Sequence, residues 1–334
     1  MGNLKERLKR IHEIKNIETN GAGEDSFAPH DISALIKNGW ETCGFKVLKR
    51  DVSVKSPFKN IKSLPSNLSI LIPDLKSREL PCMENFIFFD LETTGLSGGA
   101  GTVAFLAAFG KISDNKLIIT QYLLLDYPGE NNFLEKTLSI LNEKDAIIVS
   151  YNGKCFDSQI IKTRCLMNRM PLPVYNHVDL LHPSRRLWKN IINDCSQASV
   201  ETKILGLSRE GDIPGSLAPE IWFEFLRTGE TERLEKICDH NTSDISGLSE
   251  ILSAIIAISQ NLFENSEYKY DKERLAHFVY KYAYKQMLKN NYNEPLKLIK
   301  KGIKVIKNDQ LLHDKMIRRK NRLEKLIEME KMKS

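Results

Sequence analysis

Two carboxylates stand at the end of a short apolar run in the middle of the chain. Residues 86–89, Phe-Ile-Phe-Phe, lead directly into Asp90-Leu91-Glu92. Such a run predicts a central strand buried on both faces, and residues two apart on a strand share one face. Asp90 and Glu92 would therefore converge where a divalent metal offsets the cost of burying charge, and hard oxygen ligands select Mg²⁺ or Mn²⁺. The pair alone nevertheless favours a solvated strand end.

A third carboxylate begins a predicted helix. Residues 146–150 predict a second buried strand, and the segment that follows it ends at Asp157, where the helical pattern starts. Asp157 is a candidate metal ligand. Capping the N-terminus of that helix is an alternative role, which Asp often fills.

A histidine and a fourth carboxylate lie on one long amphipathic helix. His240 and Asp244 are four residues apart, so their side chains share a helical face. The spacing considered alone favours a surface His–Asp pair, and it gains meaning only beside the other two segments.

In chain order, these segments resemble the three motifs of the DEDD exonuclease superfamily, which has a ribonuclease H-like fold. Residues 89–102, with their Gly-rich end, and residues 151–157 are similar to the first and second motifs of the YprB-like group. Residues 179–188 and 212–215 are similar to further segments of that group. The resemblance covers about residues 81–256.

The resemblance implies a metal-dependent 3′→5′ exonuclease that hydrolyses single-stranded DNA or RNA with two divalent cations, Mg²⁺ or Mn²⁺. Asp90 would bridge both cations. Glu92 and Asp244 would bind one of them, and Asp157 the other. His240 would be the general base, for which its ordinary pKa is suited. Its spacing from Asp244 departs from better-known relatives, because it combines the His of one subclass with the spacing of another.

Residues beside the motifs are candidates for contacts with nucleic acid. They are Thr93, Thr94, Gly95, Asn152, Lys154, Arg185 and Arg186. The first three follow the metal strand and would cradle a terminal nucleotide, and the next two precede Asp157 and would reach phosphates or the 3′ end. For the two arginines, a phosphate clamp and a solvated helix face are equally compatible with the pattern.

The elements around these residues predict an α/β fold. Strands are expected at 86–89, 103–112, 117–125, 146–150 and 174–180, with a hairpin turn at 113–116. Helices are expected at 131–141, at 157–168 and, with breaks at 211–214 and 228–231, over 198–258. Strands followed by strand–helix alternation and then helices indicate a ribonuclease H-like three-layer domain with a mixed central sheet, at residues 81–260.

The flanking regions differ from this domain. Residues 1–80 are expected to form a polar helix at about 4–14, a linker and an irregular lead-in. Residues 267–334 predict a small all-α extension whose breaks at 290–291 and 308–309 give two or three helices, with features of one degenerate TPR-like repeat; a plain helical hairpin fits equally well.

Charge is divided unevenly between these parts. The net charge is −8 over residues 81–266 and +10 over residues 267–334, within a total of +6. A basic extension beside an acidic domain is typical of a chain that meets a polyanion, although a solvated Lys-rich tail explains it equally well. The extension is also a candidate surface for a protein partner.

Composition indicates a cytoplasmic protein without a membrane segment. No apolar run approaches the roughly 20 residues that span a bilayer, and the N-terminus lacks the apolar core of a signal peptide. The six cysteines are scattered without a C-x-x-C pair, which argues against a zinc knuckle or a disulfide framework and fits reduced thiols.

Two other functions are compatible with the fold. A nucleic-acid-binding adaptor would use the nuclease fold and the basic extension with little or no hydrolysis, but it has no physical need for five such groups to converge. An endonuclease of ribonuclease H type would share the fold and the metals.

Overall fold

The computed structural model describes residues 31–58, 63–75, 81–95, 99–209 and 211–332. The helix predicted at about 4–14 lies outside these residues. In the described part, the strands are β1 Glu41–Gly44, β2 Val47–Lys55, β3 Phe86–Thr93, β4 Ala104–Ser113, β5 Lys116–Leu124, β6 Ile147–Ser150 and β7 Asn176–Asp179.

These strands form one mixed sheet in the order β1-β2-β5-β4-β3-β6-β7. β1, β2, β5, β4 and β3 pair antiparallel, whereas β6 and β7 continue parallel to β3. The hairpin between β4 and β5 turns at Asp114 and Asn115, which both adopt positive φ, as a two-residue hairpin requires. The predicted mixed sheet and the predicted hairpin are confirmed.

Helices cover both faces of the sheet. They are α1 Ser33–Lys37, α2 Leu68–Leu71, α3 Glu130–Leu141, α4 Asp157–Met167, α5 Leu181–Trp188, α6 Gln197–Val200, α7 Ala218–Thr228, α8 Glu232–Gln260, α9 Lys272–Met287, α10 Asn293–Ile303 and α11 Gln310–Lys331. A π-helical turn, Glu201–Leu205, continues α6.

The alternation of β3 divides its side chains between two cores. Phe86 and Phe88 pack in the core that contains Ile245 of α8, and Phe89 packs in the opposite core, which contains Ile160 of α4. This arrangement gives the helix–sheet–helix layers that the sequence predicts. Because Asp90 and Glu92 follow the parity of Phe88, they face α8.

The prediction of an irregular lead-in before residue 81 is wrong for residues 41–55. β2 pairs with β5 over nine residues, from Val47 opposite Leu124 to Lys55 opposite Lys116, and β1 extends the sheet beyond it. The segment was not recognisable as a strand because charged residues interrupt its apolar pattern, including Arg50, which is nevertheless buried.

The C-terminal helices α9, α10 and α11 occur where the sequence predicts helices. Leu275 and Ile299 belong to the same hydrophobic core as Phe88, so these helices complete the core on the α8 side. A TPR-like character and the domain limits at 80, 260 and 267 stay predictions.

By length and composition, α8 is apolar enough to cross a membrane, but 61% of its most apolar window is buried inside the protein. It packs against the sheet and against α2, which is the arrangement of a core helix.

Candidate active site

The end of β3 presents the first pair of carboxylates. Asp90 and Glu92 point from one face of the strand towards α8, and Glu92 is only 8% exposed. Asn241 of α8 donates a hydrogen bond from Nδ2 to Oδ2 of Asp90 at 2.8 Å. The predicted convergence of the pair on one face is therefore present, and a solvated strand end is not.

A turn organised by Asp179 places the third carboxylate. The buried Asp179 at the end of β7 accepts hydrogen bonds from the backbone N–H groups of Asn152 at 2.8 Å and Lys154 at 3.2 Å. Asp157 follows at the start of α4 and is buried, but its side chain does not cap that helix. A Cβ on Gly153 would lie 2.7 Å from Oδ2 of Asp157, so the turn has room only for glycine there.

Helix α8 supplies the histidine and the fourth carboxylate. Nε2 of His240 lies 3.3 Å from Oδ2 of Asp244, as their spacing on one helical face predicts. On the other side of the ring, Nδ1 lies 2.8 Å from Oδ1 of Asp212. Ligand atoms of Glu92, His240 and Asp244 all lie within 4.8 Å of one another. The first and third sequence motifs therefore meet in space, and Asp157 of the second motif is near enough for its charge to act on Asp90 and Glu92.

An arginine also contacts the carboxylate cluster, which consists of Asp90, Glu92, Asp157 and Asp244. Arg209 donates from Nε and Nη2 to the buried carboxylate of Glu201 at 2.9 and 2.8 Å. Its Nη1 lies 2.7 Å from Oδ1 of Asp244. The two-point pairing with Glu201 fixes the guanidinium, so that its positive charge partly compensates Asp244.

The carboxylates repel one another in a buried environment. Burial, followed by the charges of Asp244, Asp157 and Glu92, raises the pKa of Asp90 well above its usual range. Burial and the charge of Asp244 raise the pKa of Glu92 to about 8. Burial, with the charge of Asp179, raises the pKa of Asp157 to about 7. The negative charge of this cluster is not balanced by the protein alone.

His240 and Asp244 shift in the opposite sense, towards their charged forms. Burial lowers the pKa of His240, but hydrogen bonds and charges from Asp244 and Asp212 outweigh it and raise this pKa to about 9. Burial likewise raises the pKa of Asp244, but the hydrogen bond from His240 and the charge of Arg209 outweigh it and lower this pKa.

The donor set fits divalent cations. Four carboxylates converge with excess negative charge, and carboxylate oxygens are the ligands that Mg²⁺ and Mn²⁺ prefer. The elevated pKa values of Glu92 and Asp157 are the mark of a site whose charge a cation would neutralise.

The side chains predicted to contact nucleic acid differ in their exposure and in their contacts. The hydroxyl of Thr94 accepts a hydrogen bond from the backbone N–H of Val103 at 2.9 Å, so it closes the turn beside Gly95. The hydroxyl of Thr93 donates to the Gly95 carbonyl at 3.0 Å. Asn152 is exposed, and the ammonium group of Lys154 pairs with Asp74 at 3.1 Å. Their contacts with nucleic acid stay predictions.

The two arginines of α5 differ from each other. Arg185 is exposed. Arg186 is half-buried, donates to the carbonyls of Ile70 at 3.2 Å and Leu71 at 2.5 Å, and lies over the ring of Phe278. These contacts give Arg186 a role in packing α5 against α2 and α9, and of the two arginines only Arg185 presents an exposed side chain.

Sequence reasoning missed several groups at the site. Asp212 lies in a segment noted only for its family resemblance, and nothing in its pattern indicates that it contacts His240. Glu201 and Arg209 lie in or near irregular backbone without a periodic signal. Of these residues, Asn241 could most readily have been predicted from the sequence, because a polar residue on the buried face of a helix needs a hydrogen-bond partner.

A family model of the RNase_H superfamily matches residues 87–256, just over half of the chain. The chain belongs to the RNase_H superfamily. The match begins in β3 and ends in α8, so it includes every carboxylate of the cluster and His240.

Two proteins from other organisms are similar in sequence to this chain. The chain is 39% identical over 186 residues to YprB of Bacillus subtilis (strain 168), covering 54% of this chain and 44% of YprB. It is 27% identical over 180 residues to MJ0365 of Methanocaldococcus jannaschii, covering 50% of this chain and 93% of that protein. The chain thus spans less than half of the length of YprB. The predicted resemblance to the YprB-like group is confirmed by this match.

Among solved structures, the chain is similar to E. coli exonuclease I in complex with a dT13 oligonucleotide. The TM-score is 0.32 at 18% sequence identity, over 45% of this chain and 42% of exonuclease I. The family match, and not this low score, establishes the RNase_H superfamily fold.

Proposed function

We propose that this chain is a metal-dependent nuclease that hydrolyses single-stranded DNA or RNA as a 3′→5′ exonuclease with two divalent cations. The observation that carries the proposal is that Glu92, His240 and Asp244 lie together, with Asp90 on the same strand face as Glu92 and Asp157 near enough for its charge to act on both. These groups come from three separate segments of a superfamily with nucleases among its members. An adaptor without hydrolysis gains nothing from burying so much like charge.

Asp90, Glu92, Asp157 and Asp244 would hold the cations. When bound, such cations supply charge neutralisation at a phosphate and a more acidic water as nucleophile. The carboxylates must be ionised to act as ligands, and their raised pKa values mean that cation binding and proton release are coupled.

His240 is suited to hold and move the proton of the attacking water. Asp212 accepts a hydrogen bond from the Nδ1–H group, which orients the ring and leaves Nε2 facing Asp244 and Glu92. Acting as a base requires an unprotonated Nε2. Because the negative charges of Asp244 and Glu92 help to hold that proton, neutralising these charges lowers the pKa of His240 towards the working range.

The predicted polarity follows from the family resemblance and from the histidine-bearing helix. Thr93, Thr94, Gly95, Asn152, Lys154 and Arg185 are the candidate contacts to the terminal nucleotides. The exposed Asn152 precedes Asp157 in the turn that Asp179 organises, and this position supports a contact between its amide and a terminal nucleotide.

The proposal is tested by a time course on 5′-labelled single- and double-stranded DNA and RNA with Mn²⁺. The wild-type protein is expected to shorten at least one substrate from its 3′ end, and a 3′-blocked copy of that substrate is expected to resist. Asp90→Asn should lower the rate at least about 100-fold, because it removes a charge aimed at the reacting centre.

Arg233→Gln is a matched control, since Arg233 forms partly exposed ion pairs with Glu220 and Glu224 away from the cluster. Internal cleavage of the 3′-blocked substrate would indicate an endonuclease. The absence of hydrolysis of any substrate, with Asp90→Asn indistinguishable from wild type, would refute the nuclease.

A further inference from the structure

A row of side chains crosses the sheet towards Asp90. In the strand register, Arg50 of β2 pairs with Gln121 of β5, Gln121 with Ala108 of β4, and Ala108 with Asp90 of β3. Residues in register on neighbouring strands face the same side of a sheet. With strands about 4.8 Å apart, Arg50 is three strands, or about 14 Å, from Asp90.

Asn241 of α8 bridges the middle of this row. Its Oδ1 accepts a hydrogen bond from Nε2 of Gln121 at 3.0 Å, while its Nδ2 donates to Oδ2 of Asp90 at 2.8 Å. Nε2 of Gln121 also donates to the carbonyl of Cys238 at 2.7 Å. The small side chain of Ala108 between them leaves room for the amide.

The hydrogen bonds from Arg50 to Gln121, from Gln121 to Asn241 and from Asn241 to Asp90 form a relay. Arg50 determines the direction of these hydrogen bonds. Its Nε and Nη2 donate to Oε1 of Gln121 at 3.1 and 2.8 Å, so that this oxygen faces Arg50 and Nε2 faces Asn241. Because Gln121 offers a donor, Asn241 must present Oδ1 to it and Nδ2 to Asp90.

Burial makes the relay rigid. The side chains of Gln121 and Asn241 have no exposed surface, and Arg50 is 8% exposed. The guanidinium also stacks over the ring of Trp40, 4.8 Å from its centroid. In such surroundings a misdirected amide leaves a buried polar group without a partner, which costs more than a hydrogen bond exposed to water.

We propose that Gln121 and Arg50 are positioning residues for the cation ligand Asp90. They hold the Asn241 amide with its donor towards the carboxylate, which fixes Oδ2 and leaves Oδ1 for a cation. With the amide reversed, an oxygen would face the carboxylate and repel it. The inference rests on the proposed function for one point only, namely that Asp90 is a cation ligand.

The test is the dissociation constant for Mn²⁺, measured by calorimetry on the full chain without nucleic acid. Gln121→Glu keeps the size of the side chain and its pairing with Arg50, but turns the donor that faces Asn241 into an acceptor. It is expected to weaken Mn²⁺ binding about tenfold, the lower end of the range for outer-shell partners of a metal ligand.

Asp239→Asn is the matched control. It removes the exposed partner that Arg50 contacts at 2.9 Å and leaves both hydrogen bonds to Gln121 in place. Its Mn²⁺ affinity is expected to stay within about twofold of wild type, a difference well below one tenfold step in affinity. Thermal unfolding in EDTA checks that each variant is folded.

Gln121→Met serves if Gln121→Glu does not fold, since it removes the directing amide without adding charge, and it should bind Mn²⁺ more weakly than Asp239→Asn. A folded Gln121→Glu or Gln121→Met with the affinity of the control would overturn the relay while leaving the nuclease intact. A wild-type chain that binds no Mn²⁺ would overturn both the relay and the proposed function.

Discussion

Three groups at the cluster, two of them buried, bind protons more tightly in the folded chain than in the unfolded one. The pKa of Glu92 is raised to about 8, that of Asp157 to about 7, and that of His240 to about 9. For each group, the stability contributed by proton binding is complete below the unfolded pKa and is lost as pH rises through the folded pKa. All three therefore act in the same direction.

We predict that the protein in EDTA loses stability steadily as pH rises from about 4 to about 9, the interval bounded by these unfolded and folded pKa values. Saturating Mn²⁺ should flatten or reverse this slope, because the cation replaces the protons. Thermal unfolding across this pH range measures both curves. Glu92→Gln in EDTA should lose part of the slope, and an identical slope with and without Mn²⁺ would show that the carboxylates do not hold cations.

At the scale of elements, the contact between α8 and the sheet sets the geometry of the cluster. Gly110 of β4 faces this helix, and a Cβ there would lie 2.5 Å from Cγ2 of Ile245. Ile245 follows Asp244 directly on α8. The close approach of helix and strand thus places Asp244 opposite β3.

Gly110→Ala is predicted to push α8 away from β4 and to destabilise the fold by about 1–3 kcal/mol, the usual cost of overpacking a core. It should also weaken Mn²⁺ binding, because Asp244 moves with the helix. Denaturant unfolding and calorimetry report the two effects. Gly99→Ala, where a Cβ meets no atom within 4 Å, is the control; equal stability and Mn²⁺ affinity in both variants would contradict this role of the contact.

The sequence allowed the elements that carry the chemistry to be predicted, because apolar strands, polar turns and an amphipathic helix have distinct patterns. β2 was missed because Arg50 interrupts its apolar pattern. Arg50 can be buried because it contacts Gln121, Asp239 and Trp40, and only the fold brings these residues together. Asp212 and Arg209 were missed for a related reason. Their segment lacks periodicity, so its contacts are set by tertiary structure alone.

At the scale of the whole molecule, the C-terminal helices and the nuclease-like layers share one core. The backbone N–H of Asp271 donates to the carbonyl of Leu187 at 2.9 Å, and the indole of Trp188 donates to the carbonyl of Lys269 at 3.0 Å. Leu275 packs in the core that contains Trp188. These contacts join α9 to α5, so removing the extension also removes contacts that stabilise the rest of the fold.

We predict that removing residues 267–334 lowers the midpoint of thermal unfolding by at least about 10 °C, because several kcal/mol of apolar burial are lost. A chain that lacks only residues 332–334 is the control, since Met332 is 86% exposed. An unchanged midpoint for the longer truncation would show that the extension is an independent unit.

We propose that the four carboxylates together form a cation-dependent hydrolytic centre. The most direct measurement is the single-turnover rate of hydrolysis of a 5′-labelled oligonucleotide as Mn²⁺ is titrated, for the wild type and for Glu92→Gln, Asp157→Asn and Asp244→Asn. We predict a wild-type rate that rises from zero with Mn²⁺ and losses of at least about 100-fold in each variant. A Mn²⁺-independent rate, or variants that remain folded and as fast as wild type, would contradict the claim.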